Sequence, residues 1–431
     1  MLSVINWPSL STLEQKECLT RSTQVHFVKD AVLAIIQQVQ NQGDKALFAL
    51  TEQFDGVALE QLQISPEKIQ KASISSNALK AIQEAIKTIS VYHKTLIPEE
   101  NTISTAPGIS ITTTYRPIQR VGLYVPGGNN TPLVSSLLMQ AIPAQVAGCP
   151  IKILCTPPNP KGEIDPHLLV AARLSGIETI YSIGGAQAIA AMAYGTESIS
   201  KVNKLFGPGN SYVTEAKTLV SIDPLGAAID LPAGPSEVMI SADKEANLTF
   251  VAADLLAQAE HGPDSQVILL CDNADIAVGV NQHLKEQLPL LSRQAIAQRS
   301  LATSKIIVCP DKDAQIDIIN SYAPEHLIIN RVDVESWVDK VTSAGTVFLG
   351  PWAAETLGDY ITGSNHVLPT NGFAKSYNGL STLDFLTRFT VQRISKEGIK
   401  ALGPAAVSLA QIEGLDAHAK AVQLRLKELG V

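Results

Sequence analysis

The stretch that decides the fold runs from residue 121 to residue 220. Short β-rich runs alternate there with helix-like runs, and glycine and proline punctuate them: VGLYV (121–125), PLVSSLLMQAIPAQVAG (132–148), IKILC (151–155), DPHLLVAARLSG (165–176), TIYSIG (179–184), AQAIAAMAYG (186–195), KLFG (204–207) and SYVTEAKTLV (211–220). This alternation is typical of a wound, mostly parallel β-sheet with helices packed on it. The sequence therefore predicts an α/β unit.

A second series of alternating β-rich and helix-like runs follows residue 231. Its β-rich runs are EVMISA (237–242), SQVILLCD (265–272), KIIVC (305–309) and TVFLG (346–350), with helix-like segments between them. Two α/β units of similar size are therefore expected. The first ~110 residues have apolar positions spaced by three and four residues, which predicts helices. The residues after 379 are predicted to form a charged helical arm that reaches across a subunit partner.

Composition narrows the class of protein. The 431 residues carry 33 Lys and Arg against 41 Asp and Glu, a net charge of −8. This acidic excess disfavours nucleic acid or an anionic membrane as a partner, because both require clustered basic side chains. Residues 121–151 contain no charge but several prolines, which favours buried strand, loop and helix over a membrane span. Five scattered cysteines and no secretion signal predict a reducing, cytoplasmic location.

Three glycine-rich turns each follow a strand-like run and precede a helix-like one. They are PGG (126–128), GGAQA (184–188) and FGPGNSY (206–212), and none is a full G-x-G-x-x-G. Backbone N–H groups at such turns can meet a phosphate, and Tyr124, Gln187 and Asn210 lie beside them to contact a ring or ribose. The turns alone fit a nucleotide site and plain chain reversals equally well.

Histidines in polar surroundings are candidates for metal binding. Gln258 and His261 lie three residues apart, so on a helix they share a face and can bind one ion. Asp359 and His418 would complete a tetrahedral set of oxygen and nitrogen ligands that zinc accepts and manganese tolerates. Each of these side chains could instead be hydrogen-bonded or solvated, and spacing alone does not join motifs so far apart.

Adjacent Glu325 and His326 suit general base chemistry. Imidazole titrates near neutral pH, and a neighbouring carboxylate can stabilise the imidazolium or activate a water. Cys155, Cys271 and Cys309 lie in strand-like runs and are interpreted as small core residues.

These motifs together resemble the histidinol dehydrogenase family. The segments RVGLYVPGG, GGAQAIAA, FGPGN, AAIDLPAGPSEV, QAEHGPDSQVILL, PEHLII and NHVLPT occur in the family's order between residues 120 and 370. The resemblance implies the four-electron oxidation of L-histidinol to L-histidine through L-histidinaldehyde with two NAD, the last step of histidine biosynthesis. The start of the C-terminal arm, SYNGLSTLDF, departs from the family pattern.

The resemblance also implies a role for each matching residue. One Zn²⁺ per subunit would be bound by Gln258, His261, Asp359 and His418, and these would also contact the substrate together with Ser236, His326, His366 and Glu413. NAD would be contacted by Tyr124, Gln187 and Asn210, and Glu325 and His326 would form the catalytic pair. The C-terminal arm of an intertwined homodimer would carry Glu413 and His418 into the partner's site.

The resulting prediction is an α/β fold with two incomplete Rossmann-like wound sheets and helical extensions at both termini. The predicted domains are an N-terminal helical segment (1–23), a metal and catalytic α/β domain (24–123 with 238–378), an NAD-binding α/β domain (124–237) and the arm (379–431). Three alternatives stay open: a related zinc and NAD dehydrogenase of another small alcohol, a zinc hydrolase, and a metal-stabilised dimeric scaffold. NAD binding separates the first from the other two.

Overall fold

The structure is a computed structural model that describes residues 1–21, 28–127, 131–231 and 234–431. Gly128 of the first glycine turn and residues 232–233 of the AAIDLPAGPSEV segment lie outside these ranges. The strands are β1 (Ser3–Asn6), β2 (Asn101–Ala106), β3 (Ile109–Pro117), β4 (Arg120–Tyr124), β5 (Ile151–Thr156), β6 (Thr179–Ser182), β7 (Lys204–Phe206), β8 (Ala228–Ile229), β9 (Glu237–Ala242), β10 (Gln266–Cys271), β11 (Lys305–Val308), β12 (His326–Asn330), β13 (Thr346–Leu349) and β14 (Leu386–Ile394).

Helices account for most of the remaining described chain. They are α1 (Thr12–Leu19), α2 (Lys29–Gln42), α3 (Asp44–Asp55), α4 (Pro66–Lys71), α5 (Ser76–Thr95), α6 (Val134–Ala147), α7 (Pro166–Leu174), α8 (Gly185–Tyr194), α9 (Ser211–Ile222), α10 (Leu248–Ala259), α11 (Ala274–Gln287), α12 (Gln294–Thr303), α13 (Lys312–Tyr322), α14 (Glu335–Val338), α15 (Glu355–Tyr360), α16 (Lys396–Ile412) and α17 (Asp416–Glu428), with short 3₁₀ turns at Trp7–Ser9, Leu288–Leu290, Phe373–Lys375 and Thr382–Phe385.

Two parallel sheets form the body of the chain, as the alternating pattern predicts. The smaller sheet has the order β6-β5-β4-β7-β8, and the larger one has the order β1-β11-β10-β9-β12-β13. Their central strands are buried along their length; all six residues of β9, for example, are buried. Such strands read as continuous apolar runs because helices cover both faces of a parallel sheet.

The two sheets share one winding order. Numbered from its own first strand, the smaller sheet runs 3-2-1-4-5, and β11-β10-β9-β12-β13 runs the same way. Strand β1 is added outside β11, with Ser3 opposite Lys305 and Asn6 opposite Val308. The N-terminal segment predicted to be helical therefore begins with a strand, and α1 is the one α-helix within its described residues, 1–21.

The helices α2 to α5 pack on the smaller sheet. Val32, Ile35 and Ile36 of α2 share a core with residues of α8 and β5, and Ile82 and Ile89 of α5 share another with residues of α6. This packing differs from the predicted grouping of residues 24–123 with the larger sheet. The difference is physical: the apolar faces of these helices cover α6 to α9, and helical spacing indicates which face is apolar without indicating its partner.

The C-terminal arm contains a strand as well as the predicted helices. Strand β14 pairs antiparallel with β3, which also pairs with β2. The purely helical prediction for residues 379–431 is therefore wrong at β14. The two final helices, α16 and α17, pack mainly on one another. Within the described ranges, no helix has both the length and the apolar character needed to span a membrane.

Candidate active site

The predicted catalytic pair lies at the amino-terminal end of β12, which runs between β9 and the edge strand β13 of the larger sheet. His326 is the first residue of this strand and lies opposite Val238 of β9 and Thr346 of β13. The side chains of Glu325 and His326 are both buried. Ligands of wound α/β sheets usually bind at the carboxyl ends of the strands. This site lies at the opposite edge of the sheet, at the amino-terminal end of β12.

Three carboxylates surround the His326 imidazole. Its Nδ1 lies 3.6 Å from Oε2 of Glu325 and 3.6 Å from Oε1 of Glu355, and its Nε2 lies 3.5 Å from Oδ1 of Asp359. Burial alone would lower the pKa of His326, but the charges of Glu355 and Glu325 and the contact with Asp359 raise it well above its ordinary value. These carboxylates favour the imidazolium, the form that His326 takes after it accepts a proton.

Backbone groups of β9 hold both members of the pair. The N–H of Glu237 donates to Oε2 of Glu325 at 2.8 Å, and the carbonyl oxygen of Glu237 lies 3.2 Å from Nδ1 of His326. A protonated Nδ1 donating to this carbonyl leaves Nε2 as the acceptor on the opposite side of the ring. Nε2 is buried and, among the described residues, has no hydrogen-bond partner.

Glu355 was not identified from the sequence. It is the first residue of α15, is 1% exposed, and has one carboxylate oxygen, Oε2, without a hydrogen-bond partner among the described residues. Burial raises its pKa to about 8, while the charge of His326 opposes the rise. Glu355 and Asp359 are four residues apart on a short helix, so they lie on one face. That spacing places Glu355 beside Asp359, but the sequence does not show that both lie next to His326.

His326, Glu355 and Asp359 form a group that could hold a metal ion. Each offers a ligand atom, and these atoms all lie within 4.8 Å of one another. Of the predicted zinc ligands, this group contains Asp359 alone. Asp359 is largely buried, which would raise its pKa, but the 3.5 Å contact with His326 and the charges of His326, His366 and His261 lower the pKa overall. Asp359 is therefore ionised at neutral pH.

Gln258 supplies the strongest observation in favour of a bound cation. The side chain lies on α10 and is fully buried, and neither its oxygen nor its nitrogen has a hydrogen-bond partner in the described part of the chain. An unpaired buried amide is costly, about 1–3 kcal/mol for a group left without a partner. A cation coordinated through Oε1 would satisfy the oxygen, so the residues present fit a metal ion.

Asp254 is a second acidic group that the sequence did not reveal. It precedes Gln258 by one helical turn on α10, and its negative charge contributes to the raised pKa of Glu355. Burial raises the pKa of Asp254 itself to about 6. Carboxylates such as Glu355, Asp359 and Asp254 are oxygen donors of the kind that divalent ions accept.

Two further histidines of the predicted site, His261 and His366, each have one ring nitrogen in contact with a backbone carbonyl. Nδ1 of His261 lies 2.9 Å from the carbonyl of Ala257, and Nδ1 of His366 lies 2.8 Å from the carbonyl of Asp359. Burial lowers the pKa of His366, which favours the neutral ring. A carbonyl that binds Nδ1–H fixes the tautomer and presents Nε2 to a metal or a substrate, as in protein metal sites generally.

Three predicted site residues are less closely connected to this group. Ser236 immediately precedes β9 and is partly exposed. Glu413 and His418 lie at the end of α16 and on α17, and both are exposed. Within the described residues of one chain, neither Glu413 nor His418 makes a hydrogen bond or an ion pair with the His326 group.

The three predicted NAD contacts lie near one edge of the smaller sheet. Tyr124 ends β4, Gln187 is in the first turn of α8 after β6, and Asn210 caps α9 after β7. The carboxyl ends of parallel strands meet at one edge, and this edge is the usual ligand side of a wound sheet. The Tyr124 hydroxyl accepts a 2.9 Å hydrogen bond from the N–H of Gly185, which connects β4 to the start of α8.

The Asn210 side chain is engaged with its own helix. Its Oδ1 accepts hydrogen bonds of 3.1 Å from the N–H groups of Tyr212 and Val213. The amide nitrogen takes no part in this cap. Gln187 is buried. Burial raises the pKa of the Tyr124 hydroxyl, which therefore stays protonated and able to donate a hydrogen bond.

Comparison with known proteins identifies the family. Residues 19–426 match the histidinol dehydrogenase family. The chain is 68% identical over 430 residues to the histidinol dehydrogenase of Legionella pneumophila subsp. pneumophila, with 100% of both chains covered, and 47% identical over 429 residues to that of Colwellia psychrerythraea, with 99% of both covered.

A solved structure agrees with the sequence comparisons. The crystal structure of histidinol dehydrogenase from Elizabethkingia anophelis superposes with a TM-score of 0.96 at 43% identity, covering 100% of this chain and 99% of that chain. The mixed α/β fold with parallel sheets is thereby confirmed. The chain belongs to the histidinol dehydrogenase family.

Proposed function

We propose that the buried His326 group is the place where this NAD-dependent oxidoreductase converts L-histidinol to L-histidine. The family assignment makes the chain a histidinol-oxidising enzyme of histidine biosynthesis, and it sets aside the hydrolase and scaffold alternatives. The observation that carries the proposal is a buried imidazole whose Nε2 makes no hydrogen bond within the described residues, held among carboxylates that favour its protonated form. A hydride-transfer enzyme needs such a group to remove the alcohol proton.

We propose four ligands for the Zn²⁺ on which this family depends. Gln258, His261 and Asp359 of one chain would bind it together with His418 of a second copy. The unpaired Gln258 oxygen, the ionised Asp359 and the fixed His261 tautomer support the first three. Exposed His418 lies on the final helix and is free to meet another chain. When bound, zinc supplies orientation of the substrate and polarisation of its oxygen.

Two residues of the chain, His326 and Glu325, are proposed to perform the proton transfers. His326 takes the alcohol proton while the hydride passes to NAD, which leaves L-histidinaldehyde. Glu325, held by the Glu237 N–H, takes a proton from the water that adds to the aldehyde. As the water adds, His326 returns its proton to the aldehyde oxygen, which restores the neutral imidazole. His326 then takes a proton from the resulting hydrate while a second NAD accepts hydride, which completes the four-electron oxidation. Burial of both side chains excludes bulk water from the reactive aldehyde.

Substrate recognition is proposed for residues around this group. His366 would present its Nε2, because Nδ1 is engaged by the Asp359 carbonyl. Ser236 lies beside β9 and would donate a hydroxyl, and Glu413 of a second copy would pair with the substrate ammonium. A carboxylate and an imidazole suit a substrate that carries an amino group and an imidazole ring.

NAD is proposed to bind the smaller sheet through Tyr124, Gln187 and Asn210. The winding order 3-2-1-4-5 matches the first five strands of the Rossmann order, which binds nucleotides at the carboxyl ends of its strands. On this assignment the smaller sheet is the NAD-binding unit and the larger sheet carries the metal and the catalytic residues. Both are proposed to be Rossmann-like, and the larger one uses its opposite edge.

An intertwined homodimer with shared sites is proposed from the arm. Large apolar side chains are exposed on α16, among them Leu409 at 62% and Ile412 at 81%. These belong to the same arm as Glu413 and His418, so a second copy that covered them would also receive both polar residues. A cytoplasmic location is proposed as well, because all five cysteines are free thiols.

The first experiment counts NADH formed per L-histidinol consumed by the zinc-loaded protein. We expect two NADH per substrate, loss of turnover with a chelator, and recovery with zinc. One NADH per substrate would mean that the aldehyde escapes and would contradict the role of Glu325. No NADH with histidinol, in a zinc-loaded protein that binds NAD, would overturn the substrate assignment and favour another small alcohol.

A hybrid dimer tests the shared site. Neither His418→Ala nor Glu325→Gln homodimers should complete the reaction, whereas a mixture that exchanges subunits should recover activity at the site that combines both intact halves. The control is the same mixture kept from exchanging by cross-linking each homodimer beforehand. Absence of recovery after verified exchange would show that His418 acts within its own chain.

A further inference from the structure

Backbone strain is concentrated around one buried ion pair. Within residues 1–21, 28–127, 131–231 and 234–431, the non-glycine residues with positive φ are Ala323 (53°) and Asn371 (54°). A side chain in this left-handed region is uncommon and is tolerated where surrounding contacts enforce it. Both residues contact the ion pair between Arg21 and Glu237.

Arg21 enters the larger sheet from the N-terminal segment, after α1. Its Nε and Nη2 donate to the two carboxylate oxygens of Glu237, at 2.5 and 2.8 Å. Nη2 also donates to the carbonyl of Tyr322 at 2.8 Å and to that of Ala323 at 3.4 Å. The guanidinium carbon lies 3.7 Å above the centre of the Tyr322 ring. Arg21 thus fixes the two residues at which α13 turns towards Pro324 and Glu325.

Glu237 carries this constraint to the catalytic pair. Its side chain accepts from Arg21 and, at 3.2 Å, from the N–H of Asn371. Its backbone N–H donates to Glu325 and its carbonyl meets Nδ1 of His326. One residue of β9 therefore joins Arg21 to both members of the pair and to the strained segment that follows the NHVLPT motif.

A purely stabilising role explains this arrangement poorly. The desolvation of a buried ion pair offsets much of its attraction, so such pairs are weak sources of stability and are better explained by the geometry they impose. Here the geometry concerns a carboxylate and an imidazole whose contacts of 3.5–3.6 Å define the site. Misplacement of a reacting group by about 1 Å can cost about 100-fold in rate.

We propose that Arg21 and Glu237 are positioning residues that hold Glu325 and His326 in their reactive placement. This inference rests on the proposed function, in which Glu325 and His326 perform the proton transfers. Neither Arg21 nor Glu237 is expected to touch the substrate. Their effect is therefore on the rate of the chemical steps, with substrate and NAD binding left nearly unchanged.

The test compares Arg21→Met and Arg21→Lys with the unaltered zinc-loaded enzyme. For Arg21→Met, we expect kcat with L-histidinol to fall about 10- to 100-fold, while the KM for L-histidinol and the Kd for NAD change less than about threefold. Lysine keeps the charge and one hydrogen bond but loses the two-pronged contact, so Arg21→Lys should recover part of kcat. Glu237→Gln should resemble Arg21→Met, because it weakens the same contact from the other side.

Lys305→Met is the matched control. Nζ of Lys305 donates to the carbonyl of Cys18 at 2.5 Å, so this lysine ties the same N-terminal segment to β11 without contacting the catalytic strand. We expect Lys305→Met to lower the melting temperature as Arg21→Met does but to leave kcat within about twofold. Equal losses of kcat in both variants, in proportion to lost folded protein, would show a structural role and overturn the inference.

Two results distinguish this inference from the proposed function. If the unaltered enzyme oxidises histidinol and zinc-loaded, folded Arg21→Met keeps the same kcat, the positioning role is wrong and the function stands. If the unaltered enzyme does not oxidise histidinol, the proposed function itself fails, and the inference falls with it. A variant of Arg21 that does not fold leaves Glu237→Gln to decide, since its carboxamide is isosteric with the carboxylate.

Discussion

Oε1 of Glu355 lies 3.6 Å from Nδ1 of His326, and both side chains are buried. The charge of Glu355 contributes to the raised pKa of His326. Burial raises the pKa of Glu355, and the charge of His326 opposes that rise. The two groups titrate as a pair, and a proton that arrives on the imidazole is stabilised by the carboxylate.

Replacing Glu355 with glutamine should slow both oxidation steps. Glutamine cannot ionise, so the imidazolium that forms on His326 loses the carboxylate that can balance it, and we expect kcat to fall about 10- to 100-fold with L-histidinol and with L-histidinaldehyde alike. Steady-state rates with each substrate measure this. Glu355→Asp, which keeps the charge, is the control and should retain more activity. A glutamine variant that slowed only the aldehyde step would assign Glu355 to water activation instead.

Gln258→Leu should separate metal binding from stability. Because neither polar atom of Gln258 has a hydrogen-bond partner within the described residues, removing them breaks no internal hydrogen bond. In the presence of a chelator we expect the melting temperature to stay equal or rise, since the cost of an unpaired buried amide is removed. Zinc should raise the melting temperature of the unaltered protein and raise that of the variant much less.

Gln315→Leu serves as the matched control for that experiment. Gln315 is also fully buried, but it is hydrogen-bonded to Ser241, Asp272 and the carbonyl of Cys309. Its replacement should destabilise the protein with or without zinc and leave the zinc-dependent shift intact. A loss of stability on the same scale for Gln258→Leu in chelator would mean that Gln258 has partners of its own and would argue against a metal ligand.

Local sequence pattern was sufficient to predict two wound α/β units but not what joins them. The alternation of apolar runs with helix-like runs predicts most of the strands from β4 to β13, because buried parallel strands are apolar along their length. Strand β14 was missed because it is largely exposed and its partner, β3, lies more than 250 residues earlier in the chain. The grouping of α2 to α5 with the smaller sheet depends on shape complementarity between helices, which periodicity does not encode.

The candidate site was also predictable only in part, because the sequence shows local residue pairs but not which distant residues pack beside them. Chemistry-bearing residues in unusual pairs, such as Glu325 with His326, are visible in the sequence, and the family resemblance supplies their order. Glu355, Asp254 and Arg21 occur in ordinary helical or loop surroundings, and only the fold shows that each is close to the pair. Burial, which makes the Glu355 carboxylate unusual, is a property of the assembled sheet and helices.

A buried lysine holds the loop that carries Asn210. Nζ of Lys217 donates to the carbonyl of Gly207 at 2.8 Å and to Oδ1 of Asp230 at 2.5 Å, and Oδ2 of Asp230 accepts from the Gly207 N–H at 2.8 Å. Gly207 has a φ of 122°, and a Cβ added there would lie 2.1 Å from the carbonyl oxygen of Tyr124. The loop is therefore fixed against β4 at a position that only glycine fits.

Lys217→Met should weaken NAD binding more than it slows chemistry. The loop from Gly207 to Asn210 loses one anchor, so we expect the KM for NAD to rise about 10-fold with kcat within about threefold, and stability to fall by about 3 kcal/mol because Asp230 is left unpaired. Initial rates at varied NAD test the first part. Lys204→Met is the control: Lys204 lies on neighbouring β7 but donates to the Asp384 carbonyl. An unchanged KM for NAD in Lys217→Met would show that this loop does not contribute to NAD binding.

His93 on α5 predicts an acid-sensitive fold. The side chain is fully buried beside Thr382, whose hydroxyl lies 3.3 Å from Nδ1, and Nε2 has no hydrogen-bond partner in the described part of the chain. Burial lowers the pKa of His93 from 6.5 to about 4. The folded state therefore keeps a neutral ring at pH values where the unfolded chain already binds a proton.

The sign of the effect follows from this difference in proton uptake. As the pH falls from about 6.5 towards 4, the unfolded state gains a proton that the folded state does not, so the free energy of unfolding decreases. Between pH 7 and pH 5 this one group should lower the free energy of unfolding by roughly 2 kcal/mol.

Urea unfolding of the metal-free protein at both pH values, compared with His93→Leu, measures the contribution. His93→Leu removes the titrating group, so its unfolding free energy should fall by roughly 2 kcal/mol less over the same interval. The substitution itself costs stability at pH 7, but only the change between the two pH values bears on the prediction. An equal change in both proteins would show that His93 is protonated in the folded state and that the acid sensitivity has another source.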